Sequence, residues 1–269
     1  MLLYSILIGC LQITECILPT KNIYLSKDYS QMNKIKLSGK TAFITGATGA
    51  IGSAVAEMLA EEGVNLILLS SGNNQLNILI DKLSNHGVKM NGFVCDLSSL
   101  NNIQDLINNE LKNEKIDILI NSAGVFPNKS IHEMSIDDYK ASLNINLNSA
   151  YLFCANLSKS MITNRWGRIV DIGSSSFYSG FRNTTAYCLT KHGLLGLSRS
   201  LHDELKEDGV RVYCISPSST KGKMGSTTIG QDYSTFLDPD EVASYVLFAI
   251  THNGNAMSEE ILIKRIVVR

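Results

Sequence analysis

The sequence has no C-x-x-C pair, no H-x-x-x-H pattern and no surplus of charge of either sign, and each absence removes a class of function. Its six cysteines (Cys10, Cys16, Cys95, Cys154, Cys188 and Cys214) are scattered without metal-ligand spacing, which argues against a zinc site or a disulfide scaffold. Four of them fall in apolar runs or helical patterns, where a free cysteine serves as a small core residue. A formal net charge of -1 provides no basic field for nucleic acid or an acidic membrane. The apolar run 2–11 is too short to span a bilayer, and no lysine or arginine precedes it, so it also makes a poor secretory signal. What remains is 269 residues, 44% hydrophobic and 18% charged, enough to bury a sizeable core in one domain.

Strand and helix patterns alternate along that chain, with no internal repeat and no low-complexity linker. A β-type run over Thr41–Thr45 leads into a segment with Ile51, Val55, Met58 and Leu59 along one stripe, the period of a helix. Further strands are expected over 65–69, 89–95, 116–120, 168–172, 210–215 and 260–264. Most are β-branched or leucine-rich rather than alternating, as strands buried on both faces are. Helical stretches between them imply an α/β fold, a doubly wound parallel Rossmann-like sheet with helices on both faces. Right-handed crossovers then gather the strand C-termini, and any ligand, along one edge. Ser135-Ile136-Asp137-Asp138 has the form of a capping box and is expected to start the helix that carries Asn146.

Two motifs carry chemistry. Between the first strand and helix lies Thr45-Gly46-Ala47-Thr48-Gly49-Ala50-Ile51-Gly52, a glycine turn that lets backbone approach a pyrophosphate at a helix N-terminus. Tyr187 and Lys191 stand four residues apart, so on a helix the phenol and the ammonium share one face. A free phenol has a pKa of about 10, and a close ammonium is expected to pull it toward working pH. Ser174, thirteen residues upstream of Tyr187, ends a strand-like run and is placed to hold a carbonyl oxygen against the phenol. His192, next to Lys191, reads as a helix residue turned away from the site rather than a general base. Tyr-x-x-x-Lys alone arises by chance, and its weight here comes from the motifs around it.

With Asp96-Leu97, Asn121-Ser122-Ala123-Gly124 and Asn146 added in order, the chain closely resembles the short-chain dehydrogenase/reductase superfamily, in its compact single-domain branch. The resemblance runs from about Leu37 to about Met224, with a weaker tail to Arg269. It implies an NAD(P)(H)-dependent oxidoreductase interconverting a carbonyl and an alcohol by hydride transfer. Ser174 would bind the substrate oxygen, Tyr187 would donate or accept its proton, Lys191 would hold the nicotinamide ribose, and Asn146 would complete a proton relay. Cofactor contacts are implied for Gly46, Thr48, Gly49, Ile51, Gly52, Ser70, Ser71, Asp96, Leu97, Asn121, Ala123, Gly124, Tyr187, Lys191, Pro217 and Thr220. Without the resemblance, Asp96 reads equally well as a turn former. The alternative to an enzyme is a nucleotide-sensing regulator or scaffold on the same fold.

Departures from the family pattern bear on the details. No acidic residue closes the second strand to accept a ribose diol, which favours NADP(H) over NAD(H), although the arginines that often grip a 2′-phosphate are missing too: Gly49 and Ser71 occupy those positions. Ala50 replaces a usual glycine, and Pro217-Ser218 stands where Pro-Gly is common. The tail lacks the Asp-Gly-Gly ending of fatty-acid ketoreductases, so 3-oxoacyl-thioester reduction stands as an alternative within the class. Phe177, Tyr178, Phe181, Tyr233 and Phe236 are candidates for pocket lining or for core. Relatives commonly form homodimers or homotetramers through the helices after Asn146 and from Tyr187. Residues 32–269 are expected to form the domain, in the cytoplasm, with 1–31 an N-terminal extension or a mis-set start rather than a working signal or a membrane tether, and a small-molecule carbonyl or alcohol as the partner.

Overall fold

The computed structural model describes residues 34–227 and 230–267, so the 1–31 segment lies outside the described residues. Seven parallel strands form one sheet in the order β3-β2-β1-β4-β5-β6-β7. They are β1 (Thr41–Thr45), β2 (Asn65–Ser70), β3 (Met90–Val94), β4 (Ile118–Asn121), β5 (Gly167–Ile172), β6 (Val210–Pro217) and β7 (Glu260–Ile263). The helices between them are α1 (Ala50–Glu61), α2 (Asn73–Leu83), α3 (Leu100–Leu106), α4 (Ile136–Leu143), α5 (Ser149–Thr163), α6 (Thr185–Leu205) and α7 (Pro239–Thr251).

The two faces of the sheet follow from side-chain alternation along the strands. Ala42, Ile44, Leu66 and Leu68 enter one core with Val55 and Leu59 of α1, Leu76 and Leu79 of α2, and Val242 and Val246 of α7. Phe43, Ile67 and Leu69 point the other way, into a core with Ile103 of α3 and Phe153, Leu157 and Met161 of α5. Burial on both faces does not extend to the edges. No residue of β3 is buried, and in β7 only Ile263 is, because an edge strand has a neighbour on one side alone. The strand ends also shift: the 116–120 run begins as a strand only at Ile118, while Asp117 gives its carboxylate to Lys40 Nζ (3.2 Å) and the Thr41 amide (3.1 Å).

Cysteines 95, 154, 188 and 214 are all buried and unpaired, as small core residues. Among the described residues, no helix is long and apolar enough to cross a membrane.

Local chemistry sets the helix starts. Ser135 caps α4 by accepting from the Asp138 amide (3.1 Å), but Asp138 turns its carboxylate to Lys129 (2.7 Å) instead of back to the cap. The fully reciprocal capping box belongs to α7, between Asp238 and Glu241 with Pro239 in the first turn, a cap of about 1 kcal/mol. α4 does not run straight into α5: one π turn, Asn144–Asn148, lies between them. Neighbouring β1 and β4 leave the sheet in opposite directions, and a crevice opens at their carboxyl ends.

Candidate active site

The glycine turn closes the crevice from the β1 side. Gly46 has φ +62°, and a methyl there would come 2.7 Å from Ala123 Cα, so the turn lies flat against the exit of β4. Thr45 fixes that exit, since its Oγ1 accepts from the amides of Ser122 and Ala123, each at 3.2 Å. Gly49 is the N-cap of α1 without a side-chain cap, and no acidic residue stands in the first turn. The first-turn amides at Ala50, Ile51 and Gly52 therefore face the crevice without a capping side chain, the arrangement that suits a pyrophosphate. On these observations the residues fit a dinucleotide.

The opposite wall comes from β5 and α6. Lys191 is buried, and its Nζ donates to the carbonyl of Ile172 (2.8 Å), the last residue of β5. Burial lowers its pKa to about 8, with Cys214 and Asp171 pulling the other way. Tyr187, one turn earlier on α6, is 7% exposed. Burial raises its phenol above the ordinary value, the Ser174 hydroxyl pulls it down, and Cys188 raises it slightly. This reverses the expectation that Lys191 lowers that pKa. The ammonium lies 5.9 Å from the ring centroid and is turned to the Ile172 carbonyl, so burial dominates. Ser174, just beyond β5, accepts from the Ser176 amide (3.1 Å).

Asn146 sits in the π turn, a helix irregularity frequent at functional sites. Its Oδ1 accepts from the Val125 amide (2.7 Å), and its Nδ2 donates to the Val125 carbonyl (2.9 Å) and to Thr190 Oγ1 (3.1 Å). It thus clamps the segment after β4 to α6. Asn146 Oδ1 and Lys191 Nζ both come up against Gly124.

The remaining predicted contacts line the same carboxyl edge of the sheet, but several side chains are already committed. Thr48 Oγ1 and Ser70 Oγ bond each other (2.8 Å), and Ser70 also accepts from the Gly72 amide (3.2 Å), which leaves Ser71 exposed. Asp96 is exposed and accepts from the Ser98 amide (2.9 Å), a contact that lowers its pKa, while the Leu97 side chain enters the core. Asn121 donates to Asp171 (2.8 Å) within the sheet. Pro217 ends β6, and Thr220 begins the following loop with its hydroxyl on the Ser218 carbonyl (3.0 Å). His192 lies on the exposed face of α6, its Nδ1 against the Cys188 carbonyl. Of the aromatic candidates, Phe177 and Phe236 are buried, whereas Tyr178, Phe181 and Tyr233 are exposed.

One residue of the site went unread in the sequence. Phe126 stacks edge-on against Tyr187, with centroids 4.7 Å apart, and its only signal was its place two residues beyond Gly124. Gly222, in Gly222-Lys223-Met224 where the family often has a threonine before the methionine, lies close to Ala50.

Comparison with known proteins accounts for this arrangement. The family model for short chain dehydrogenases matches residues 40–232. The chain is 34% identical over 241 residues to the 3-oxoacyl-(acyl-carrier-protein) reductase FabG of Aquifex aeolicus, an alignment covering 85% of this chain and 97% of that one. The enzyme of the same name from Rickettsia bellii is 30% identical over 238 residues, covering 85% and 96%. Among solved structures, a metagenomic short-chain oxidoreductase in complex with NADP superimposes with a TM-score of 0.75 at 26% identity, covering 87% of this chain and all of that one. The carboxyl-edge crevice, the glycine turn and these matches agree: the chain belongs to the short-chain dehydrogenase/reductase family and is an NAD(P)-dependent oxidoreductase.

Proposed function

We propose that the chain reduces the carbonyl of 3-oxoacyl thioesters with NADP(H), using Tyr187 as the proton donor. One observation carries the chemistry: Ser174, Tyr187 and Lys191 meet at the carboxyl end of β5, across the crevice from the α1 N-terminus. A bound nicotinamide supplies or takes up the hydride. Ser174 orients the substrate oxygen. Tyr187, its pKa raised by burial, is protonated at neutral pH and so stands ready as the acid of the reduction direction. Lys191, near 8, is mostly charged at neutral pH and would hold the ribose hydroxyls. Asn146 positions this group by clamping Val125 to α6, and the relay to solvent would pass beside it.

The thioester substrate is supported by the names of the relatives at 30–34% identity that span nearly their whole length. For NADP(H), support comes from the end of β2. No carboxylate stands in the first turn of α2, its N-cap Gly72 has no capping side chain, and Ser71 is exposed beside it. A 2′-phosphate meets donors there and no repulsion. The test is oxidation of NADPH and of NADH with 3-oxoacyl thioesters alongside simple aldehydes and ketones. NADPH with the thioester is expected to give the highest kcat/KM, and Ser71→Asp should shift preference toward NADH. A tenfold NADH preference in the unaltered protein would reverse the cofactor assignment, and activity confined to simple ketones would reverse the substrate.

A homo-oligomer and a cytoplasmic setting complete the reading. Tyr151 on α5 and Leu189 on α6 are 57% and 47% exposed, apolar area suited to a second copy. Sedimentation of the purified protein is expected to give a dimer or tetramer mass, and a monomer mass at micromolar concentration would remove that part.

A further inference from the structure

The sheet holds a carboxylate that the chemistry above does not use. Asp171, on β5, is completely buried. Its Oδ1 accepts from Asn121 Nδ2 of β4 (2.8 Å) and its Oδ2 from Ser198 Oγ of α6 (2.5 Å), the second being the length of a charge-assisted bond. Ser198 lies seven residues, two turns, beyond Lys191, so both project from one face of α6. Lys191 in turn holds the carbonyl of Ile172, the residue after Asp171. One short stretch of β5 is therefore gripped twice by α6, once by a hydroxyl on an acid and once by an ammonium on a peptide.

We propose that Asp171 is a positioning residue for the Tyr187–Lys191 pair, a buried anion one peptide away from the Lys191 ammonium that keeps the lysine charged and fixes α6 on the sheet. The proposal rests on the catalytic reading above for its purpose but not for its geometry. The other titratable groups packed here leave the role to Asp171. Facing Asp171 and Lys191 are Cys154 of α5, Cys214 of β6 and Tyr187 of α6. Burial raises all three, Cys214 to about 12, so none is an anion at neutral pH. Asp171 itself stands above the ordinary carboxylate value, burial outweighing the pull of Ser198, Asn121 and Lys191; its charge is inferred from the two donors aimed at its oxygens, Asn121 Nδ2 and Ser198 Oγ. A lone buried ammonium is costly, and an opposite charge in the same low-dielectric pocket offsets that cost.

The sign of the pH effect follows from the lysine. Its folded pKa of about 8 lies below the ordinary value of 10.5. Between those two values the unfolded chain keeps a proton that the folded chain has released, so the Lys191 contribution to stability rises with pH across that window. Removing the anion moves the lower limit down.

The experiment is a double-mutant cycle on the protein without nucleotide: unaltered, Asp171→Asn, Lys191→Met and the double variant, with urea midpoints measured from pH 6 to 10. The loss caused by Asp171→Asn is expected to shrink several-fold when residue 191 is already methionine. With Asp171 present, the stability difference between lysine and methionine at 191 should begin to rise near pH 8. In the D171N background that rise should begin at lower pH. Equal losses in both backgrounds, or an unmoved pH onset, would overturn the proposal. Should D171N fail to fold, recovery of folding in the double variant supports it and continued failure overturns it. A protein without turnover that still shows both shifts would remove the proposed reaction and leave the pairing of Asp171 with Lys191 standing.

Discussion

Replacing Tyr187 by phenylalanine is expected to reduce turnover by about 10²–10⁴-fold while leaving nucleotide affinity within about twofold. The ring position is kept by its edge-on contact with Phe126 and by its buried place on α6, and the exchange removes only the hydroxyl. Lys191 and the α1 N-terminus, the groups argued to hold the nucleotide, are untouched. Steady-state rates with NADPH and a 3-oxoacyl thioester, beside a fluorescence titration of NADPH alone, separate the two quantities. Near-normal rates in the variant would sink the assignment of Tyr187 as acid.

Gly46→Ala should have the second large effect, this time on binding. At φ +62° an L side chain costs about 1–2 kcal/mol in backbone energy. The new methyl would also lie 2.7 Å from Ala123 Cα and 2.9 Å from its nitrogen, both backbone atoms, so one wall of the crevice must move. A displacement of that size at a site depending on close backbone approach is expected to weaken NADPH at least about tenfold. The urea midpoint should fall as well. Unchanged affinity with lowered stability would show that the Gly46 turn does not touch the nucleotide.

The sheet was legible because its central strands are apolar at consecutive positions, as in Phe43-Ile44 and Ile118-Leu119-Ile120, a pattern only two covered faces tolerate. The edges were less so: Met90-Asn91-Gly92-Phe93-Val94 reads as a strand by position, not by composition. In the candidate site, Ser174, Tyr187 and Lys191 were readable because spacing on one helix and the end of one strand determine where they go. The π turn at Asn146 was not, since Asn144–Asn148 holds only two apolar residues, too few to show a change of helical period. Nor was the direction of the Tyr187 shift, which depends on burial and on where Lys191 turns its ammonium. The role of Asp171 had no local signal either, since its partners Asn121 and Ser198 stand 50 and 27 residues away in sequence.

The close approach of Gly222 to Ala50 restricts the sequence at both positions. A methyl at 222 would lie 2.6 Å from the Ala50 methyl, so a larger residue at either place is accommodated only if the loop after β6 or the start of α1 shifts. At φ +138° residue 222 also holds a backbone conformation that glycine adopts freely. The residue allowed in the glycine turn and the residue allowed in the loop, far apart in the chain, are therefore constrained as a pair.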